Sequence, residues 1–131
     1  MSKQLAKYVD GFVLVVPKDQ VAQYRKMARD ASKIWMKHGA LRYVECVGDD
    51  LYPDTYGMPT LLFPKLTKLK ENETVWFSYI EYTSKAHRTQ VNKKVHKEFE
   101  QHMKEHPDDM KEMPFDMRRM SFGGFKVVVN T

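Results

Sequence analysis

The chain has 131 residues, of which 42% are hydrophobic and 12% aromatic, a composition that is typical of one folded domain and excludes wholesale disorder. The formal net charge is +5, but the basic residues are scattered among acidic ones and no nucleic-acid-binding module is present. We therefore do not expect a nucleic-acid partner. A single cysteine, Cys46, excludes an intrachain disulfide, and no segment approaches the length of a membrane span. We expect a cytoplasmic protein without a membrane partner.

The same order of predicted elements occurs twice along the chain. It is strand, helix, strand and then the same three again, over residues 8–16, 18–38, 41–47, 74–82, roughly 84–105 and 120–129. The helices are predicted from apolar residues at helical spacing, and the strands from short runs rich in β-branched and aromatic residues. This β-α-β-β-α-β order is the ferredoxin-like arrangement, which belongs to the α+β class. It predicts one domain over 1–131, with an antiparallel sheet and both helices on one face.

Two irregular connections interrupt this pattern, over 48–72 and 106–119. The first contains the turn-forming residues Pro53, Gly57 and Pro59. A loop of this length within a compact domain usually has local order or serves a site. Its central part, 49–60, is our candidate for a segment that closes over a ligand.

Side chains alternate between the two faces of a strand, so strand composition predicts which face the helices cover. The small and aliphatic sets are predicted to pack on the helices: Val9, Val13, Val15, Val44, Cys46, Trp76, Ser78 and Ile80. The opposite, open face would then carry aromatic and carboxylate side chains: Tyr8, Asp10, Phe12, Tyr43, Glu45, Phe77, Tyr79 and Glu81. Such a face is too aromatic for bare water and too charged for a dry core. It predicts either a dimer interface with a polar rim or the wall of a wet cavity.

The candidate residues of this pocket or dimer face are Asp10, Phe12, Tyr43, Glu45, Tyr79, Glu81 and Arg119. Arg119 is included because a cation would compensate partly buried carboxylates, whose pKa burial would otherwise raise. The competing interpretation is that the carboxylates lie at sheet edges and point to solvent. No residue is assigned a catalytic role.

One short motif suggests a metal. His102 and His106 lie in an H-x-x-E-H pattern, which is the inverted form of a zinc-protease signature. The pattern falls at the end of a predicted helix, just before Pro107, and lacks a further carboxylate ligand downstream, so we interpret both histidines as helix-terminal cations. Cys46 lies within a strand among valines and is interpreted as a small buried hydrophobe. We expect neither a metal nor a cofactor.

Four segments in order resemble the YbaA-like family, a bacterial domain of unknown function. They are YVDGFVLVVPKD, GALRYVECVGDD, FPKLTKLKENETVWFSYIEYTSKAHR and MPFDMRRMSFGGF, and the resemblance extends from about Tyr8 to Val129. It implies a ferredoxin-like fold of the dimeric α/β-barrel type, in which two protomers bring their open sheet faces together. It implies no activity.

Three functions are therefore compatible with the sequence. The first is a homodimer that binds a small organic ligand between the open sheet face and loop 49–60. The second is a cofactor-independent monooxygenase or isomerase of the dimeric α/β-barrel type, which would use a carboxylate of tuned pKa. The third is an interaction module without catalysis.

Overall fold

A computed structural model describes residues 5–109 and 113–131. Within these ranges the elements are β1 Tyr8–Pro17, α1 Val21–Lys37, β2 Arg42–Val47, the short helix α2 Phe63–Leu66, β3 Glu73–Tyr82, α3 Lys85–Glu105 and β4 Ser121–Lys126. The strands form one antiparallel sheet in the order β2-β3-β1-β4. Strand order and connectivity confirm the predicted ferredoxin-like fold of the α+β class.

Local sequence signals set the ends of both long helices. Gly39 follows α1 with a φ of 110°, a conformation that glycine adopts without strain. The Ser84 hydroxyl accepts a hydrogen bond from the backbone N–H of His87 at 3.0 Å and so caps the start of α3. The helix ends at Glu105, before Pro107, which cannot continue it. Neither these helices nor any other in the described ranges is long and apolar enough to cross a membrane.

Pairing between strands shows which side chains share a face. Residues that are directly opposite each other in an antiparallel pair point to the same side of the sheet. Leu14 of β1 lies opposite Trp76 of β3, and both side chains pack in one buried cluster with Tyr24 and Ala28 of α1. The even-numbered residues of β1 and β3 therefore face the helices.

A second cluster joins the sheet to α3. Ile80 and Tyr82 of β3 pack with Val91 and Val95 of α3 and with Ala40, which precedes β2. The two clusters lie on the same face of the sheet and form the core between the sheet and the helix layer.

The predicted side-chain parity is correct for β3 and wrong for β1 and β2. Trp76, Ser78 and Ile80 face the helices as expected, since they share a face with Leu14. In contrast, Val9, Val13 and Val15 of β1 point to the open face, because Val13 pairs with Phe77.

The error follows from the rule used to choose the faces. Composition placed the smaller aliphatic side chains under the helices, but the helix layer of this protein packs mainly on larger side chains. Asp10, Phe12, Tyr43 and Glu45 consequently lie on the helix-covered face: their partners across the strands are Ile80 and Ser78. Of the seven candidate residues, only Tyr79 and Glu81 point to the open face from the sheet.

Candidate functional site

A cleft lies between α1 and the edge strand β2 on the helix-covered face. Its volume is about 440 Å³, and it is lined by Val21, Arg25, Ala28, Arg29, Ser32, Tyr43, Glu45, Val47 and Trp76. The α1 residues recur at intervals of three and four, so one face of the helix forms one wall. β2 and β3 supply the other wall. We call this space the Glu45 cleft.

The carboxyl group of Glu45 is the ionisable group held most firmly in this cleft. Its Oε1 accepts a hydrogen bond from the Tyr24 hydroxyl at 3.0 Å, and its Oε2 accepts one from the Tyr43 hydroxyl at 2.7 Å. Among the described residues no cation forms an ion pair with this carboxyl. Because charges that are withdrawn from water are normally paired, the lack of a cation beside this half-buried carboxyl requires an explanation.

The electrostatics of the cleft follow from burial. Burial raises the pKa of the Glu45 carboxyl, and hydrogen bonds from Tyr43 and Tyr24 oppose part of that rise. Burial, together with the charge of Glu45, also raises the pKa of both tyrosine hydroxyls above the usual range. Both tyrosines therefore remain protonated hydrogen-bond donors. A carboxyl in these surroundings can accept a hydrogen bond or a proton from a bound molecule.

Trp76 lies beside this carboxyl. Its side chain is almost fully buried, and its indole N–H makes no hydrogen bond of good geometry. The side chain of Trp76, like that of Ser78, nevertheless helps to lower the pKa of the Glu45 carboxyl. A buried N–H without a well-formed hydrogen bond is uncommon in a core, and here it borders a cleft.

Asp10 belongs to a separate polar cluster deeper in the fold. Arg88 Nε of α3 lies 3.2 Å from Asp10 Oδ1, and Asn92 Nδ2 donates a hydrogen bond to Asp10 Oδ2 at 3.4 Å. Arg88 also donates to the Tyr8 hydroxyl at 3.1 Å. A Cβ atom at Gly124 would collide with Tyr8 and Arg88, so the cluster is closely packed. We interpret it as structural.

Phe12 also lies outside the Glu45 cleft. Its ring stacks on Phe122 of β4, with the two centroids 5.7 Å apart. The prediction that Phe12, Tyr43 and Glu45 share one face of the sheet is therefore correct, but the prediction that Tyr79 and Glu81 share it with them is wrong.

The open face of the sheet has a different character. Tyr79 and Glu81 of β3 are half-buried there, Phe77 is 43% exposed, and Phe125 of β4 is 61% exposed. Cys46 of β2 shares this face and is exposed, so its predicted burial is wrong. The face therefore presents aromatic rings to solvent and contains one accessible thiol.

Arg119 has a structural role away from both faces. Its guanidinium donates to Glu73 Oε2 at 2.5 Å and to the backbone oxygens of Thr67 and Lys68, each at 3.1 Å. The hydrogen bond from Arg119 lowers the pKa of Glu73. Arg119 thus ties the end of the long loop to the start of β3 and does not compensate the carboxylates of the predicted site.

The loop 49–60 carries exposed apolar side chains. Tyr52, Tyr56 and Met58 are between 60% and 83% exposed. The beginning of the loop lines a second cleft of about 390 Å³, together with residues 69–74. Closure of this loop over a ligand remains a prediction.

The histidine motif contains one defined contact to an acid. His102 Nε2 lies 2.8 Å from Asp109 Oδ2, and the His102 and His106 rings are 4.7 Å apart between centroids. Among the described residues no group of three histidine, cysteine, aspartate or glutamate side chains could hold a metal ion.

Seven of the nine residues that line the cleft were missed as site residues: Val21, Arg25, Ala28, Arg29, Ser32, Val47 and Trp76. Tyr24, which binds Glu45, was missed as well. Tyr24 and Trp76 were assigned only to the core, because their spacing is that of buried positions. The charge pattern of α1 could have identified the two arginines, because Arg25 and Arg29 have no acidic residue three or four positions away that would pair with them.

Comparison with known proteins agrees with this fold. The chain has the same fold as a solved dimeric ferredoxin-like protein from an uncultured marine organism, with a TM-score of 0.59 and 14% identity over 97% of this chain and 98% of that one. The protein is therefore a member of the ferredoxin-like structural class.

The sequence comparisons identify the family. Residues 7–117 match the model of the protein family of unknown function DUF1428. The chain is 48% identical to the uncharacterised protein YbaA of Escherichia coli K12 over 89 residues, which are 68% of this chain and 73% of YbaA. The same values hold for YbaA of Shigella flexneri. The chain belongs to the YbaA-like DUF1428 family, as the sequence segments predicted.

Proposed function

We propose that this protein is a cytoplasmic homodimer that binds a small organic ligand in the Glu45 cleft. One observation carries the proposal: the carboxyl of Glu45 is half-buried, lines an open cleft and has two hydroxyl donors but no cationic partner among residues 5–109 and 113–131. This position differs from the predicted site between the open face and loop 49–60, because Glu45 and Tyr43 point toward the helices.

A purely structural role for Glu45 accounts for less of the geometry. A carboxylate without a cation stabilises a fold less than an apolar residue of similar size would, because its desolvation is costly. Each carboxylate oxygen can accept more than one hydrogen bond. Tyr24 and Tyr43 donate to the two oxygens, and the side chains of Trp76 and Ser78 also help to lower the pKa of Glu45, but none of these groups is cationic. A ligand in the cleft would supply a further donor.

The proposed dimer rests on the open face. Phe77 and Phe125 are exposed there, beside Val13, although large exposed apolar surfaces are uncommon on monomers. The fold neighbour from the marine organism is described as dimeric. The family resemblance implies the same arrangement, in which the open faces of two protomers meet.

A cofactor-independent enzyme is the second candidate. Burial raises the pKa of the Glu45 carboxyl, which makes it a better proton acceptor than a solvated carboxylate. A general base in the same cleft would therefore use the same residue. Turnover of a bound compound, measured as product formation that is lost in Glu45→Gln, separates the enzyme from the binding protein.

The test is a thermal-shift screen of small metabolites against the wild type, Glu45→Gln and the control Glu100→Gln, whose glutamate is exposed on α3. A ligand at 100 times its dissociation constant should stabilise the wild type by about 2.7 kcal/mol. We expect Glu45→Gln to lose this shift, while Glu100→Gln keeps it and light scattering shows that both variants remain dimeric.

Two outcomes would contradict the proposal. If a ligand stabilises Glu45→Gln as much as the wild type, the ligand binds outside the Glu45 cleft. If no compound shifts the wild type, the interaction module is favoured, with the exposed side chains of loop 49–60 as its first candidate surface.

A further inference from the structure

The wall of the Glu45 cleft formed by α1 has an unbalanced positive charge. Arg25 and Arg29 are exposed, both line the cleft, and neither forms an ion pair with another described residue. They are four positions apart on one helix face, where two like charges repel each other. Asp30 is the only acidic residue of α1, and it lies beside Arg29 in the sequence, outside the three- and four-residue spacings that bring side chains together.

The opposite wall presents the reverse charge. Glu45 lies on β2 with its carboxyl held by the hydroxyl groups of Tyr24 and Tyr43, and the indole N–H of Trp76, which also lines the cleft, has no well-formed hydrogen bond. The cleft therefore has, on one side, two guanidinium groups without an ion-pair partner among the described residues and, on the other, a carboxylate without a cation among those residues. Apolar side chains of Val21, Ala28 and Val47 also line it.

We infer that the ligand of this cleft is a small organic acid, whose acidic group binds Arg25 and Arg29 and whose other polar end donates a hydrogen bond to Glu45. This inference rests on the proposed ligand-binding function and names its ligand class. A guanidinium pair binds a carboxylate through charge-assisted, often bidentate hydrogen bonds, and it would lose the repulsion between the two cations on binding. Glu45 requires a donor such as a hydroxyl or an amine, because an ionised carboxylate only accepts hydrogen bonds.

The polarity of the cleft excludes two other ligand classes. A second carboxylate at the inner end of the ligand would meet the Glu45 carboxylate and be repelled. A simple amine would meet Glu45 favourably but would place no anion at Arg25 and Arg29. An acid that also carries a separate hydrogen-bond donor can pair with the two arginines on one wall and with Glu45 on the other.

The experiment uses rigid probes with the two groups at opposite ends. Para-hydroxybenzoate and para-aminobenzoate carry both the acid and a donor; benzoate lacks the donor, and para-hydroxybenzamide lacks the charge. Gamma-aminobutyrate tests a flexible acid with a cationic donor. Dissociation constants are measured by calorimetry on the full chain, and we expect at least one probe with both groups to bind about tenfold or more tightly than benzoate and the amide.

Variants then assign each end of the probe. Arg25→Gln and Arg29→Gln should each weaken binding of the acids about tenfold and leave the weak binding of the amide unchanged. Lys26→Gln and Lys33→Gln are the matched controls, because both lysines lie on α1 outside the cleft. They remove the same charge from the same helix and should leave binding unchanged.

The outcomes separate this inference from the proposed function. If the amide binds as tightly as the acid, or the arginine variants bind like the lysine controls, the inferred ligand class is wrong while a Glu45-dependent ligand still supports the proposed function. If benzoate binds as tightly as para-hydroxybenzoate and para-aminobenzoate, the inferred hydrogen bond from the ligand to Glu45 is wrong. If none of the probes binds, the inferred class is overturned, and the metabolite screen decides the proposed function separately.

Discussion

The two faces of the sheet bury different chemistry. The helix-covered face holds the polar groups: Asp10 is paired with Arg88, and Glu45 is held by two tyrosine hydroxyls. The open face holds valines and exposed aromatic rings, including Phe77. Carboxyl groups therefore lie between the sheet and the helices, while aromatic rings are exposed on the opposite face.

This difference supports the division of roles that we propose. Buried polar groups need defined partners, so the helix-covered face can support selective recognition of a ligand. An exposed aromatic and aliphatic face is suited to association with another protein surface, since burial of apolar area is favourable in any partner of matching shape. We assign ligand binding to the first face and assembly to the second, and the following experiments test that division.

The largest expected effect concerns the Asp10–Arg88 pair. Arg88→Met would leave the Asp10 carboxylate buried without its cation, and we expect a loss of about 3 kcal/mol in the free energy of unfolding, measured by denaturant titration. The control is Arg118→Met, whose guanidinium pairs with Asp116 on the surface and should change stability little. Equal losses in the two variants would mean that the buried pair has no special role.

The next effect concerns the open face. Phe77→Asp would place a charge in the proposed dimer interface twice, once from each protomer, and we expect the dimer dissociation constant to rise by roughly 100-fold. Sedimentation equilibrium measures it. Met36→Asp introduces the same charge at an exposed apolar position on α1, in the helix layer, and should leave the dimer intact. If the wild type remains monomeric at micromolar concentration, the open face is not a dimer interface.

A smaller effect is expected in the pH dependence of stability. The pKa of Glu45 is higher in the folded protein than its ordinary value near 4.5, so the folded state binds more protons between these two pKa values. Glu45 therefore lowers the free energy of unfolding as pH rises from the unfolded pKa to the folded pKa. This loss of stability is absent below the unfolded pKa and complete above the folded pKa. Glu45→Gln has no such charge, so its stability relative to wild type should increase as pH rises above about 4.5. Parallel stability curves for the two proteins would show that the Glu45 carboxyl is not perturbed.

The smallest expected effect uses the single cysteine. Cys46 is exposed on the open face, so a dimer formed through that face should slow its alkylation by a few-fold at high protein concentration. Mass spectrometry after maleimide treatment gives the rate. In Phe77→Asp the rate should no longer depend on protein concentration; a wild-type rate that is equally independent of concentration would place the interface elsewhere.

The sequence alone determined the order of elements and the ferredoxin-like fold. Apolar spacing in α1 and α3, the Ser84 cap and the stop before Pro107 are local signals, and local signals are readable without the rest of the chain. The four segments that resemble the YbaA-like family also identified the family from the sequence.

Only the tertiary structure decided which face each strand presents to the helices. In β1 both alternating sets contain apolar residues, so periodicity gives the alternation but not its direction. The direction depends on pairing with β3 and on which large side chains fit between sheet and helices. The Glu45 cleft has the same origin: its walls come from residues between 21 and 76, and Tyr24 meets Glu45 only because α1 packs beside β2.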